Sequence, residues 1–286
     1  MHQAKAAGRN GLRFFDPQMQ AAAMARSTLE ADLHVALAKS QLVLYYQAQV
    51  MGERQLTGAE VLVRWNHPRR GMVLPSEFIP LAEDTGLILP LGEWVLETAC
   101  IQLATWADRT EMAHLTIAVN VSPRQFHQVN FVEQVLAALE RTGATPQRLK
   151  LELTEGVLVS NVEDIVAKMS ALKQLGVGFS LDDFGTGYSS LSYLKKLPLD
   201  QLKIDQSFVR DILSDGNDAA IARTVIALAH GLGLAVIAEG VETEAQRVFL
   251  CNHGCDAYQG YLLSRPLPLE DFEKFVATCM WPTESP

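Results

Sequence analysis

The sequence predicts an α/β barrel of the (β/α)8 type, and three observations predict it. Eight short runs of strand character alternate with helical segments along the chain. The length of 286 residues admits two domains or one large α/β unit, and single barrels commonly run to about 250 residues. Polar residues recur in or just beyond the apolar runs, as they do where strand ends converge on the mouth of a barrel.

The elements follow in order. Met1 to Phe15 begins in mid-helix without an N-terminal cap, Gly8 and Asn10 are helix-ending residues, and Pro17 opens a new segment. From Asp16 to about Ala38 an Ala- and Leu-rich stretch carries Arg26, Glu30 and Asp32 at helical spacing, which predicts an amphipathic connector. Strands are expected at Val43 to Val50, Gly58 to Trp65, Thr116 to Val121, Leu149 to Leu153, Val177 to Leu181, Gln201 to Ile204, Ala235 to Ala238 and Cys255 to Tyr258. Helices are expected at Gly92 to Trp106, Phe131 to Arg141, Asn161 to Leu175, Ser190 to Leu194, Ala219 to Leu232, Glu244 to His253 and Leu269 to Ala277. The first two strands are too close for a crossover, so their junction reads as a hairpin, which a purely parallel barrel lacks.

Composition narrows the function. A formal net charge of −9, with no run of basic residues, argues against a nucleic-acid polymer as partner, so an anionic substrate needs local cations or metal ions. No apolar segment approaches the roughly 20 residues that span a bilayer, so no membrane contact by this segment and a cytoplasmic setting are expected. A membrane anchor in a longer parent stays open. Cys100, Cys251, Cys255 and Cys279 contain no C-x-x-C pair and read as reduced thiols rather than a zinc site.

The chemistry centres on Asp182-Asp183-Phe184-Gly185-Thr186-Gly187, where an apolar strand runs into two carboxylates and a glycine-rich turn. Successive strand residues point to opposite faces, so both aspartates can address one site only if the strand ends between them. Taken alone, the pair reads as a capped strand-to-helix turn. Asn120, Glu152 and Glu239 fall at other strand ends, Lys203 and Asp205 flank Ile204, and Gln259 follows the last strand. Carboxylates with one amide suit hard divalent cations such as magnesium or manganese. Two such ions about 3.5 to 4 Å apart activate water and stabilise in-line phosphoryl displacement, which makes a phosphodiester hydrolase chemically plausible.

The region from Tyr45 to Pro266 resembles the EAL-type cyclic-di-GMP phosphodiesterases. The resemblance rests on Glu60-Val61-Leu62 followed by Val63-Arg64-Trp65, on Tyr45 to Gln49, Asn120 to Gln125, Glu152 to Glu155, Asp182 to Gly187, Lys203 to Asp205, Glu239 to Glu242 and Gln259 to Tyr261. It implies a modified TIM (β/α)8 barrel with an antiparallel first strand over residues 39–282, after a connector at 16–38 and before a tail at 283–286. It implies Glu60, Asn120, Glu152 and Asp182 as ligands of one metal ion, Asp182 as bridge, and Asp183 and Glu239 as ligands of a second. Two ions of Mg2+ or Mn2+ would serve as cofactors, with Lys203 near the attacking water and Glu239 as ligand or base.

Gln47, Leu62, Arg64 and Gln259 match substrate contacts in that family. Glu155, Gly185 and Gly187 match a loop support, while Asp205 and Glu242 are expected behind the ligands. Glu60 fits the strand-end pattern poorly, since it precedes the apolar part of its strand. Ala48 and Val61 depart from the family's proline and alanine without removing a ligand. The run Ala4-Lys5-Ala6-Ala7-Gly8-Arg9-Asn10 is similar to the end of a GGDEF-type diguanylate cyclase domain, which makes residues 1–15 the tail of such an upstream unit. The expected partners are cyclic di-GMP and a second copy in a homodimer. The implied activity is opening of cyclic di-GMP to linear 5′-pGpG, with a non-catalytic receptor for the same dinucleotide as the alternative.

Overall fold

The computed structural model describes residues 17–52, 55–159, 161–185 and 191–279. The Ala4 to Asn10 run, Gly187 and residues 283–286 lie outside these. The chain opens with α1 (Pro17–Ala38), then β1 (Leu42–Met51), β2 (Gln55–His67) and the short β3 (Gly71–Val73). There follow α2 (Pro75–Thr85), α3 (Ile88–Ala107), β4 (Thr116–Val121), α4 (Pro123–Phe126), α5 (Phe131–Thr142) and β5 (Leu149–Thr154). Next come α6 (Val162–Lys173), β6 (Gly178–Phe184), α7 (Leu191–Leu194), β7 (Gln201–Ile204), α8 (Gln206–Arg210) and α9 (Gly216–Gly231). The chain closes with β8 (Ala235–Ala238), α10 (Glu244–Asn252), β9 (Ala257–Tyr258), β10 (Leu267–Pro268) and α11 (Leu269–Cys279).

Eight strands close on themselves in the order β1-β2-β4-β5-β6-β7-β8-β9, with β9 pairing back to β1. From β2 round to β9 every neighbour is parallel, whereas β1 runs antiparallel to both its neighbours. The cause is local: a turn at Gly52, with φ 60°, folds β1 directly back on β2, and so short a link cannot return the chain to a parallel start. The short strands β3 and β10 add to the outer edges of β2 and β1.

Side-chain alternation sorts the barrel. Leu149, Leu151 and Leu153 are buried on one face of β5, while Lys150 and Glu152 reach Gln201 and Lys203 on β7, bridging across β6 through the interior. Outside the strands, Tyr46, Trp106 and Phe272 pack with ring centroids 5.6 to 5.7 Å apart and tie β1 to α3 and α11. Trp65 meets Phe78 of α2 edge to face at 5.8 Å. The helix α1 is fastened beside β2: His67 Nδ1 accepts from the backbone N–H of Arg69 and of Arg70, so its proton sits on Nε2, which donates to Asp32 at 3.1 Å.

Several elements differ from sequence expectation, the short α4, α8, β3 and β10 among them. The helix expected from Gly92 begins at Ile88. A whole helix, α2, lies where none was expected; Pro75 takes its first-turn position, where a missing N–H costs nothing. The strand expected to end at Leu181 continues to Phe184, with consequences for the aspartate pair.

Candidate functional site

The C-terminal ends of the parallel strands place a ring of carboxylates around one lysine. Lys203 on β7 is fully buried, and its Nζ lies 2.5 Å from Glu152 Oε2, 2.5 Å from Glu239 Oε1, 3.2 Å from Asp182 Oδ1 and 3.5 Å from Glu60 Oε2. Burial opposes a charged ammonium, but the surrounding carboxylates outweigh it and hold the lysine pKa well above its usual value. Amides complete the inner shell. Asn120 Nδ2 donates to Glu60 Oε1 at 2.6 Å, and Gln259 Nε2 donates to Glu60 Oε2 at 2.6 Å and to Glu239 Oε1 at 3.3 Å. Gln49 Nε2 in turn donates to Gln259 Oε1 at 3.0 Å and orients that amide.

Glu60 reaches the ring from the middle of its strand, not from its end. Pairing of β2 with β4 stops at Val61 opposite Val119, and β2 overshoots the mouth, its last residues pairing instead with β1 and β3. Glu60, Leu62 and Arg64 share one face by alternation, and Gln47 of β1 stands directly opposite Glu60. Arg64 Nη1 donates to the Val63 carbonyl at 3.0 Å, and its guanidinium lies 5.8 Å from the Tyr45 ring centre.

The two aspartates are reconciled by a bulge rather than by a strand end. Asp183 sits at φ 55°, the register between β6 and β7 breaks between Leu181 and Phe184, and the Asp183 N–H donates to Asp182 Oδ1 at 2.9 Å. This conformation keeps Asp183 close to both Asp182 and Asp205. Burial, then those two carboxylates, push the Asp183 carboxyl up to about 6. Asp205 caps α8 by accepting from the Ser207 N–H at 3.0 Å. Glu155 Oε1 accepts from the Gly185 N–H at 2.9 Å, and Gly185 has φ 100°. Glu242 is exposed, and its backbone N–H donates to Gln246.

Burial also divides the ring carboxyls. It pushes Glu152 up to about 8, with Glu60 and Asp182 adding to the rise and Lys203 opposing it. Glu239 is raised well above the carboxylate range by burial and by its acidic neighbours. Burial opposes ionisation of Glu60 too, but Lys203 and the Gln259 and Asn120 amides hold its pKa below the usual value.

Five carboxyls and an amide against one ammonium form a donor set suited to hard divalent cations. Glu152 Oε1 is buried with no hydrogen-bond partner among the described residues, an oxygen with a free lone pair inside the ring. Among the described residues no three His, Cys, Asp or Glu side chains are already gathered for one ion, because the carboxyls converge on the ammonium instead. The residue types and the orphan oxygen fit such a cation, with Lys203 as the group whose contacts it would share.

Beside the ring opens a cavity of about 490 Å³. Leu62 and Asn120 form its inner edge, Pro75, Ile79 and Glu83 of α2 one wall, and Gln125 another. The α2 residues and Gln49 were not singled out from sequence. Gln49 follows Gln47 at strand spacing, and Phe78, Leu81 and Ala82 mark a helical apolar face on α2, so both signals were present.

A family model described as EAL domain matches residues 30–266. The chain is 46% identical over 278 residues to the bifunctional diguanylate cyclase/cyclic di-GMP phosphodiesterase MucR of Pseudomonas aeruginosa, covering 97% of this chain and 40% of that protein. It is 43% identical over 277 residues to the cyclic di-GMP phosphodiesterase NbdA of the same organism, covering 96% of this chain and 35% of that protein. Among solved structures, the PaMucR phosphodiesterase in complex with c-di-GMP matches with a TM-score of 0.83 and 46% identity, over 86% of this chain and 99% of the other. The chain thus spans well under half the length of these curated relatives.

Proposed function

The chain belongs to the EAL domain family, and from that premise we propose that it hydrolyses cyclic di-GMP to linear 5′-pGpG with divalent metal ions. The observation that carries the reading is the convergence of Glu60, Glu152, Asp182 and Glu239 on Lys203, beside a cavity able to take part of a ligand. Glu60, Asn120, Glu152 and Asp182 would hold one Mg2+ or Mn2+ ion, and Asp182, Asp183 and Glu239 a second. When bound, such ions acidify water and neutralise charge on phosphoryl oxygens.

The protein's own groups have distinct tasks. Lys203, kept protonated by its neighbours, donates a proton in hydrogen bonding and stabilises negative charge on the reacting phosphoryl group; it is no base. Gln259 and Asn120 pin both oxygens of Glu60, which fixes that carboxylate before substrate arrives. Arg64 presents a planar fork to a phosphate oxygen, and Gln47 offers an amide across the strand from Glu60. Glu155 holds Gly185, just beyond the bulged end of β6 that carries Asp183. The cavity between α2, α3 and α4 seats one base of the dinucleotide. In the reaction, water oxygen bonds to phosphorus, the bond from phosphorus to the ribose O3′ breaks, and O3′ leaves with a proton.

The test is incubation with cyclic di-GMP and Mg2+ or Mn2+, with products separated by chromatography. One linear dinucleotide should appear, and its formation should stop on chelation. Tight binding without any product would make the domain a receptor and overturn the proposal.

A further inference from the structure

α4 is only four residues long and begins at Pro123, three residues after the ring residue Asn120 near the end of β4. Two consecutive side chains of α4 reach different walls of the cavity. Gln125 is buried and lies so close to α3 that a Cβ on Gly92 would stand 2.2 Å from its Oε1. Arg124 points the other way. Its Nη1 donates to the backbone carbonyl of Glu83, and its Nη2 lies 3.1 Å from where a Cβ on Gly86 would be.

Glu83 lies in the last turn of α2, and Gly86 caps that helix at φ 87°. The final carbonyls of a helix lack partners within it and sit at the negative end of its dipole, so a guanidinium is a well-matched donor there. Pro75, Ile79 and Glu83 recur at helical spacing along one face of α2 and line the cavity, whereas Phe78 on another face packs against Trp65. The cavity-lining end of α2 is therefore fastened to the ligand-bearing strand through Arg124.

We propose that Arg124 is a positioning residue for the reaction: by holding the last turn of α2 against α4, it sets the width of the cavity beside the carboxylate ring, and so governs substrate affinity rather than the chemical step. This rests on the reading that the cavity seats a base of the dinucleotide. Gly86 belongs to the same device, because any side chain there meets the guanidinium.

The experiment compares wild type, Arg124→Ala and Arg124→Lys, using cyclic di-GMP and, as a diester without purine bases, bis(p-nitrophenyl) phosphate. For Arg124→Ala, KM for cyclic di-GMP should rise about tenfold with kcat nearly unchanged, and Lys should restore most of the affinity because it keeps one charged donor. Turnover of the base-free diester should be alike in all three. Hydrogen exchange across Ile79 to Thr85 should quicken in the alanine variant and less so in the lysine variant. An unchanged KM, or an equal loss for both diesters, would overturn the assignment. If wild type turns over no cyclic di-GMP, the functional reading fails on its own, and unaltered exchange in α2 would then separately overturn the role of Arg124.

Discussion

Gly260 follows the ring amide Gln259 and passes against another stretch of backbone. It adopts φ 155°, and a Cβ there would stand 2.2 Å from the Val241 carbonyl oxygen, 2.3 Å from the Val241 nitrogen and 2.7 Å from its carbonyl carbon. The neighbours cannot step aside cheaply, because the Val241 N–H donates to the Gln259 carbonyl at 3.0 Å and the Leu262 N–H donates to the Val241 carbonyl at 2.9 Å. Gly260→Ala combines a disfavoured backbone conformation with a backbone clash, each costing about 1–3 kcal/mol, so a loss of roughly 4 kcal/mol is expected. For a chain of this size that corresponds to a fall in Tm of about 8–16 °C.

Gly71→Ala is the control. Its φ is 73° but nothing lies within 4 Å of the added carbon, so only the left-handed penalty of about 1–2 kcal/mol applies. Urea unfolding followed by far-ultraviolet circular dichroism measures both variants. Gly260→Ala should also lower kcat/KM, since the displaced Gln259 no longer fixes Glu60. Equal destabilisation of the two variants would refute the role assigned to close approach at Val241.

Metal-free protein should lose stability as pH rises: Glu152, about 8 when folded against an ordinary 4.5, gives stability fully present below 4.5 and lost as pH passes 8. Thermal melts in chelator should therefore show Tm falling from pH 5 to 8, and Glu152→Gln should flatten that slope; a wild-type Tm that rises over this range contradicts the direction. Asp182→Asn should abolish turnover and weaken binding of both ions, whereas Asp183→Asn should chiefly disturb the second, as read by calorimetric titration with Mn2+; wild-type activity in either variant removes the assignment. Burial pushes the thiols of Cys100 and Cys255 up to about 12, while Cys251 is exposed, so brief alkylation at pH 8 followed by peptide mapping should label Cys251 ahead of the other two.

The barrel was legible because its parallel strands carry short apolar runs separated by helical periodicity, and Thr116 to Val121, Gln201 to Ile204 and Ala235 to Ala238 begin and end where expected. Those strands also display their ring residues at or near their ends. Three features were harder to read. Glu60 stands in mid-strand because β2 overshoots the mouth, a matter of how strands are staggered round a closed sheet, and no local pattern encodes that stagger. The aspartate pair implied a strand end, whereas the chain uses a bulge with Asp183 in a left-handed conformation, which aspartate tolerates better than most residues. The cavity wall escaped because no helix was expected over α2, although its apolar spacing was present.

The reversed first strand also decides from which side the polypeptide enters the barrel. In a barrel of uniformly parallel strands the first strand starts at the floor, a barrel's height from the chemistry. Here β1 descends from the mouth and turns at Gly52 on the floor, so α1 is attached at the upper rim, where Asp32 meets His67 at the outgoing end of β2. A reporter attached at the Ala38 end of α1 thereby sits on the catalytic side, whereas an insertion at Gly52 hangs from the opposite end. Fluorescent reporters placed at those two points would sample opposite faces of the same molecule.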